Sequence, residues 1–204
     1  MGNKKIVKFF QKIGEAQGLL EDIPKMTRRS AIMIPILCPE SDWHNDIVDI
    51  KNWSLLFTIR SKNLKEHAGE VSFPGGRIEE NESPYETALR ECDEEIGLKK
   101  ENIIATFQLN NSFARSGYHI VPFCSLVSNS FKLKMNADEV SETVTLTIQD
   151  ILNIEAWSEI RTLATFKREV WHYPIEIKNV GFFDIWGATG NILKDLMLRI
   201  EKNI

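Results

Sequence analysis

Between Ser83 and Gly97 the chain carries its own start and stop signals for a helix, and this stretch constrains the fold more than any other. Ser83 can accept from the backbone N–H of Glu86 while Glu86 reaches back, a capping box. Pro84 suits the first helical position, where its missing N–H is not needed. Gly97 suits a left-handed stop. The signals predict a helix from Pro84 to Ile96. At about 100° per residue, Tyr85, Ala88, Leu89, Cys92 and Ile96 share one arc, the expected core face. Thr87, Glu91, Glu94 and Glu95 share a second arc, whereas Glu86 and Asp93 point elsewhere.

Eight of the residues from Gly75 to Leu98 are acidic, and like charges one helical turn apart repel. Either the acidic arc is an ordinary solvated face, or a cation from solution joins it. Oxygen-rich clusters suit Mg²⁺ or Mn²⁺.

The spacing Gly76-x5-Glu82-x7-Arg90-Glu91-Cys92-Asp93-Glu94-Glu95-Ile96-Gly97-Leu98 resembles the Nudix box. Every fixed position matches. Cys92 stands at the first bulky apolar position, on the core face, where it packs as a small hydrophobe. The resemblance implies an α/β/α sandwich with a mixed β-sheet and hydrolysis of a nucleoside diphosphate derivative through Mg²⁺ or Mn²⁺. It implies Glu91 and Glu95 as the main metal ligands, and Glu94 as ligand of a second ion or as base. It also implies the backbone carbonyl of Gly75 as a ligand, and Arg90 as the group that orients the carboxylates by pairing with Glu82 or Glu91. Taken alone, Arg90 also fits a surface pair with Glu86 or Glu94. Related hydrolases place a further acid near "NADEV", which makes Glu139 a candidate ligand or base. It fits equally a surface acid at the start of a strand.

The chain of 204 residues is read as a single domain over 1–204, with 1–28 an N-terminal helical extension. Net charge of −4 gives no reason to expect nucleic-acid binding. Three cysteines without a CxxC pair argue for reduced thiols in a cytoplasmic setting and against a zinc site. No apolar run spans a bilayer and no signal peptide is visible, so no membrane is expected. Monomer and homodimer both remain open. Apolar residues at helical spacing predict a helix over about 4–20 and another ending the stretch 184–200. Strands are expected near 31–37, 53–60, 70–73, 103–109, 119–127, 131–135 and 142–146, and a short helix from Thr147. Pro122 suggests an edge strand or a bulge.

"LFTIRSKNLKEHAGEVSFPGG", residues 56–76, is similar to the extra motif of the coenzyme A pyrophosphatase branch. Thr58, Arg60, Ser61, Gly69, Phe73, Pro74, Gly75 and Gly76 match it. Phe57 and Lys65 depart, and Lys65 keeps the charge without the planar fork of arginine. "SGYHIVPF", "NADEV" and "IWGATGNIL" resemble the branch more weakly. The implied reaction cuts coenzyme A or its thioesters into 3′,5′-ADP and (acyl-)4′-phosphopantetheine. Arg60, Lys62, Lys65 and His67 form a basic run entering the site, expected either to bind this anionic small-molecule substrate or to be a solvated loop. The rivals are hydrolysis of another diphosphate, such as ADP-ribose or NADH, and a nucleotide-binding module without activity.

Overall fold

Two long strands form the spine of the molecule. β1 (Arg28–Leu37) and β7 (Tyr118–Val127) run parallel through ten paired positions, Arg28 with Tyr118 to Leu37 with Val127. Both are apolar on successive residues because both faces of their sheet are covered. Ile34, Ile36, Cys124 and Leu126 face one core, with α1 (Lys4–Glu15) and α4 (Gly187–Glu201). Ala31, Met33, Val121 and Phe123 face the other, with α2 (Pro84–Ile96). The result is an α/β/α sandwich around a mixed sheet. The structure, a computed structural model, describes residues 4–21, 28–43, 48–64, 67–128, 130–163, 166–178 and 180–204.

The sheet order is β3-β2-β1-β7-β5, with β2 (Ser54–Arg60), β3 (Val71–Ser72) and β5 (Ile103–Gln108). β4 (Gly75–Arg77) pairs with β1, β6 (Ser112–Phe113) with β7, and β8 (Val140–Thr147) with β2. One edge of β1 is shared. Ile36 and Leu37 pair with β2, while Ser30, Ala31 and Ile32 pair with β4. β2 therefore leaves β1 part-way along, and the segment through Pro74 fills the gap, with Pro74 O accepting from Met33 N–H at 2.9 Å. That divergence brings Gly75 and Gly76 of β4 beneath α2.

α2 spans the expected residues, with both halves of the capping box formed and Gly97 at a left-handed φ of 73°. α3 (Ile148–Leu152) starts with a second capping box, between Thr147 and Asp150. Three expectations need correction. Residues 131–135 form no strand; Lys134 N–H instead caps Ile96 O at the end of α2. Pro122 lies on neither an edge strand nor a bulge of its own. It sits inside the sheet opposite the break between β5 and β6, where Leu109 N–H donates to its carbonyl. The first helix stops at Glu15, and Leu20 is exposed. A further antiparallel sheet, order β11-β10-β9, was not expected: β9 (Trp157–Leu163), β10 (Phe166–Ile177) and β11 (Gly181–Trp186). α4 packs on it.

A buried ion pair fastens the chain after α1 to α4. Asp195 accepts from Leu19 N–H at 2.7 Å, Asn110 N–H at 3.0 Å and Arg199 Nε at 3.1 Å. Arg199 donates onward to the carbonyls of Gly14 and Ala16. Removing one partner of such a pair strands the other. Asp195→Ala is expected to lower unfolding free energy by about 3 kcal/mol in urea titration. Asp195→Asn, which keeps an acceptor, should lose less than half of that; equal losses would show that the charge alone matters.

Candidate active site

α2 projects its acids toward the turn that follows β3. Glu95 is 3 % exposed. Burial pushes its carboxyl up to about 8; the Arg60 guanidinium and the backbone N–H of Gly75 pull the other way, and Glu91 and Glu139 add to the rise. Glu91 is raised as well, chiefly by burial. Gly76 passes directly against it, where a Cβ would overlap the Glu91 carboxylate.

Glu139 arrives from another part of the chain. Lys134 N–H and Asn136 N–H donate to the carbonyls of Ile96 and Glu95, satisfying the end of α2 and tying the following turn to it. From that turn Glu139 reaches the helix, and its own carbonyl accepts from Ser61 N–H at 2.8 Å. One ligand oxygen each from Glu91, Glu95 and Glu139 lies within 4.8 Å of the others. Three carboxylates this close, two of them with carboxyls raised by burial, are costly without a counter-ion. The donor set is all oxygen, as Mg²⁺ and Mn²⁺ require.

Glu94 stands apart from this cluster. Its side chain is 50 % exposed and accepts from Arg90 Nη1 at 3.1 Å. It lines a different cavity, beside Lys132 and Lys134. The helical arc therefore contributes two of its three acids to the cluster, and the third comes from "NADEV".

Arg90 is the hub of the surrounding network. It grips Glu82 with two bonds, Nε–Oε1 at 2.8 Å and Nη2–Oε2 at 3.1 Å. Nη1 donates to Glu91 at 2.8 Å, and Nη2 reaches Arg77 O at 3.3 Å. Thr87 Oγ1 also donates to Glu82, at 2.6 Å. Both pairings considered from the sequence, Glu82 and Glu91, are made by the one side chain. The bond to Glu94 is added to them, not an alternative.

A family model described as NUDIX domain matches residues 46–174. The chain belongs to the Nudix family. It is 29 % identical over 176 residues to the uncharacterized Nudix hydrolase NudL of Yersinia pestis (strain Pestoides F), covering 85 % of this chain and 80 % of that protein. The NudL protein of Yersinia pseudotuberculosis serotype O:1b (strain IP 31758) matches with the same figures. The MutT/nudix family protein from Enterococcus faecalis superposes with a TM-score of 0.51 at 15 % identity, over 96 % of this chain and 68 % of that one. That likeness bears on the fold alone. Nudix hydrolases generally use divalent metal ions, and the carboxylate cluster has the donor chemistry for one. Among the described residues no helix is long and apolar enough to cross a membrane.

Beside the Nudix helix, a cavity of about 600 Å³ runs from Gly75 and Arg60 to the second sheet and the start of α4. Of the expected basic run, Arg60 and His67 line it. His67 is held by Glu70, Nδ1 to Oε2 at 3.0 Å. Lys62 is exposed on the turn after β2 and is absent from the cavity wall. Lys65 lies outside the described residues. Arg115, Arg161 and Trp186 also line the cavity, and none was singled out from the sequence. Their segments carry no period or fixed spacing to mark them, apart from the weaker family-like stretches "SGYHIVPF" and "IWGATGNIL" beside Arg115 and Trp186.

The grip of Arg90, with help from Thr87 and the Glu79 N–H, lowers the Glu82 carboxyl to about 2. A depressed carboxylate contributes stability above its unfolded pKa, and that stability is lost as pH falls toward the folded value. Between about pH 4.5 and 2 the parent should lose roughly 1–2 kcal/mol more than Glu82→Gln, after solvent screening is allowed for. Paired urea titrations across that range test this; parallel curves would contradict the linkage.

Proposed function

We propose that this Nudix protein hydrolyses the diphosphate of coenzyme A or its thioesters, giving 3′,5′-ADP and 4′-phosphopantetheine or its acyl form. The observation that carries the reading is the placement of Arg60. Its side chain donates no hydrogen bond among the described residues, its Nε is buried without a partner, and it faces both Glu95 and the cavity. A buried unmet donor beside a carboxylate cluster calls for an anionic ligand. Arg60 also belongs to the segment that resembles the coenzyme A branch.

Glu91 and Glu95 would hold the divalent ion, with the Gly75 carbonyl a further candidate and Glu139 the cluster's third acid. Bound there, the ion would neutralise phosphate charge and lower the pKa of a bound water. The residues of the chain do the positioning. Arg90 fixes Glu91, itself braced by Glu82. The Gly75 N–H and the packing around α2 fix Glu95. Arg60 offers its donors to a phosphate oxygen of the substrate. Water oxygen attacks one phosphorus, the bond to the bridging oxygen breaks, and two phosphate monoesters leave. Glu139, within the cluster, is better placed than exposed Glu94 to receive the proton from the attacking water.

Turnover should vanish with chelator and return with Mg²⁺ or Mn²⁺. Glu95→Gln should lower kcat by about 10³-fold or more, roughly 4 kcal/mol. Asp93→Asn, exposed on another face of α2, should change it by less than about threefold. Equal effects would defeat the assigned centre. The substrate is tested with coenzyme A, an acyl thioester, ADP-ribose and NADH, with product masses. Preference for ADP-ribose or NADH would overturn the coenzyme A reading, and no consumption of any diphosphate would favour a binding module.

A further inference from the structure

The cavity beside the carboxylate cluster has more cationic capacity than a diphosphate uses. Four arginines line it: Arg60, Arg115, Arg161 and Arg168. Two are already engaged. Arg168 donates to Phe113 O, Ser112 Oγ and Glu21. Arg161 bonds Glu159 and lies over the Trp186 ring, 4.7 Å from its centroid. Arg115, on the Ala114–Gly117 turn between β6 and β7, makes no hydrogen bond or ion pair among the described residues. Arg60, beside the cluster, is the arginine placed to meet the diphosphate. Arg115 remains for a further anion.

The far wall of the cavity supplies matching features. Gly187, Ala188 and Thr189 of the first turn of α4 line it. The N-cap of α4, Trp186, makes no side-chain cap bond, so the first N–H groups of this 15-residue helix have no side-chain cap among the described residues. Trp186 is itself held in place: the His172 ring stacks on it at 6.0 Å, and Trp157 stacks on His172 at 4.0 Å. Phe73, Val170 and Ala188 give the cavity apolar walls. A charged edge and a fixed aromatic wall suit a phosphorylated nucleoside.

We infer that this cavity holds the phosphorylated nucleoside half of the substrate, and that Arg115, with the first turn of α4, reads a phosphate monoester separate from the diphosphate. The inference rests on the reading of the carboxylate cluster as a diphosphate-hydrolysing centre. It moves substrate discrimination from the Lys62 region to a turn 53 positions later in the chain, and it makes Arg115 a specificity residue without a part in bond cleavage.

The test compares coenzyme A with dephospho-coenzyme A in the parent, Arg115→Ala and Lys62→Ala. The parent should favour coenzyme A by about 10-fold in kcat/KM, the effect of a charge-assisted bond reduced by its exposure. Arg115→Ala should bring that ratio close to one by lowering the coenzyme A value alone. Its Tm should be unchanged, since the side chain is exposed. A second arm measures calorimetric binding of 3′,5′-ADP and 5′-AMP to chelator-treated protein. The parent should bind 3′,5′-ADP more tightly, and Arg115→Ala should lose that margin. The second arm needs no turnover, so it separates two failures. If ADP-ribose or NADH is the preferred substrate, the coenzyme A reading falls. If both ratios survive in Arg115→Ala, or collapse instead in Lys62→Ala, the inference about Arg115 is overturned while hydrolysis stands.

Discussion

The bidentate grip of Arg90 on Glu82 holds together a helix face that would otherwise push its surroundings apart. The same guanidinium bonds Glu91, Glu94 and the Arg77 carbonyl. It thereby joins three things: the loop before α2, the helix itself and the strand β4 beneath it. A planar fork with five donors can serve so many acceptors in fixed directions, and a lysine could not. With Glu91 held from one side by Arg90 and from below by the close approach of Gly76, the carboxylates are placed before any cation arrives. That is the arrangement a metal-dependent site needs, because the repulsion is borne by the fold in advance rather than by the ligand on binding.

What could be read from the sequence divides along a physical line. Signals carried by neighbouring residues were legible. The capping box at Ser83, the stop at Gly97 and the partition of α2 into apolar and acidic arcs depend on spacings of three or four residues, and all are found in place. Features set by meetings between distant segments were not. Helical geometry put Glu94 on the arc of Glu91 and Glu95, but geometry on one helix cannot say where the rest of the chain closes over it. The segment 131–136 closes over the end of α2, donating its N–H groups to Ile96 and Glu95. Its apolar residues had suggested a strand. Instead its backbone is consumed in capping, and this brings Glu139 to the cluster while Glu94 remains at the surface.

The second sheet was hidden for a related reason. β9 and β10 show no clean alternation of polar and apolar residues: Trp157 and Ile160 are exposed, and Arg168 and His172 are buried. The two buried polar residues depart from the ordinary pattern because of distant partners. Arg168 is buried against Phe113 and Glu21, and His172 between two tryptophans and beside Asp184. Of these four residues, Arg168 also lines the cavity. Arg161, on the same wall, carries no spacing that marks it, and Trp186 is marked only by the weaker family-like stretch "IWGATGNIL".

The two regions meet through the divergence of β2 from β1. Had β2 remained paired with β1 along its whole length, the sheet edge at Ser30–Ile32 would be filled and β4 would have no partner. The early departure leaves room for the Phe73–Gly76 segment, which must then be narrow. Phe73 stacks on Phe57, at 4.6 Å between centroids, and anchors the segment to β2. Three residues later Gly76 lets it pass under Glu91. One short segment thus faces the carboxylates on one side and the cavity on the other. Gly76 opens the Nudix-like spacing and closes the motif that also holds Phe73, Pro74 and Gly75, and the topology explains why the two meet there. A chain that must pass between an acidic helix and an open cavity within four residues has little freedom in which side chains it carries.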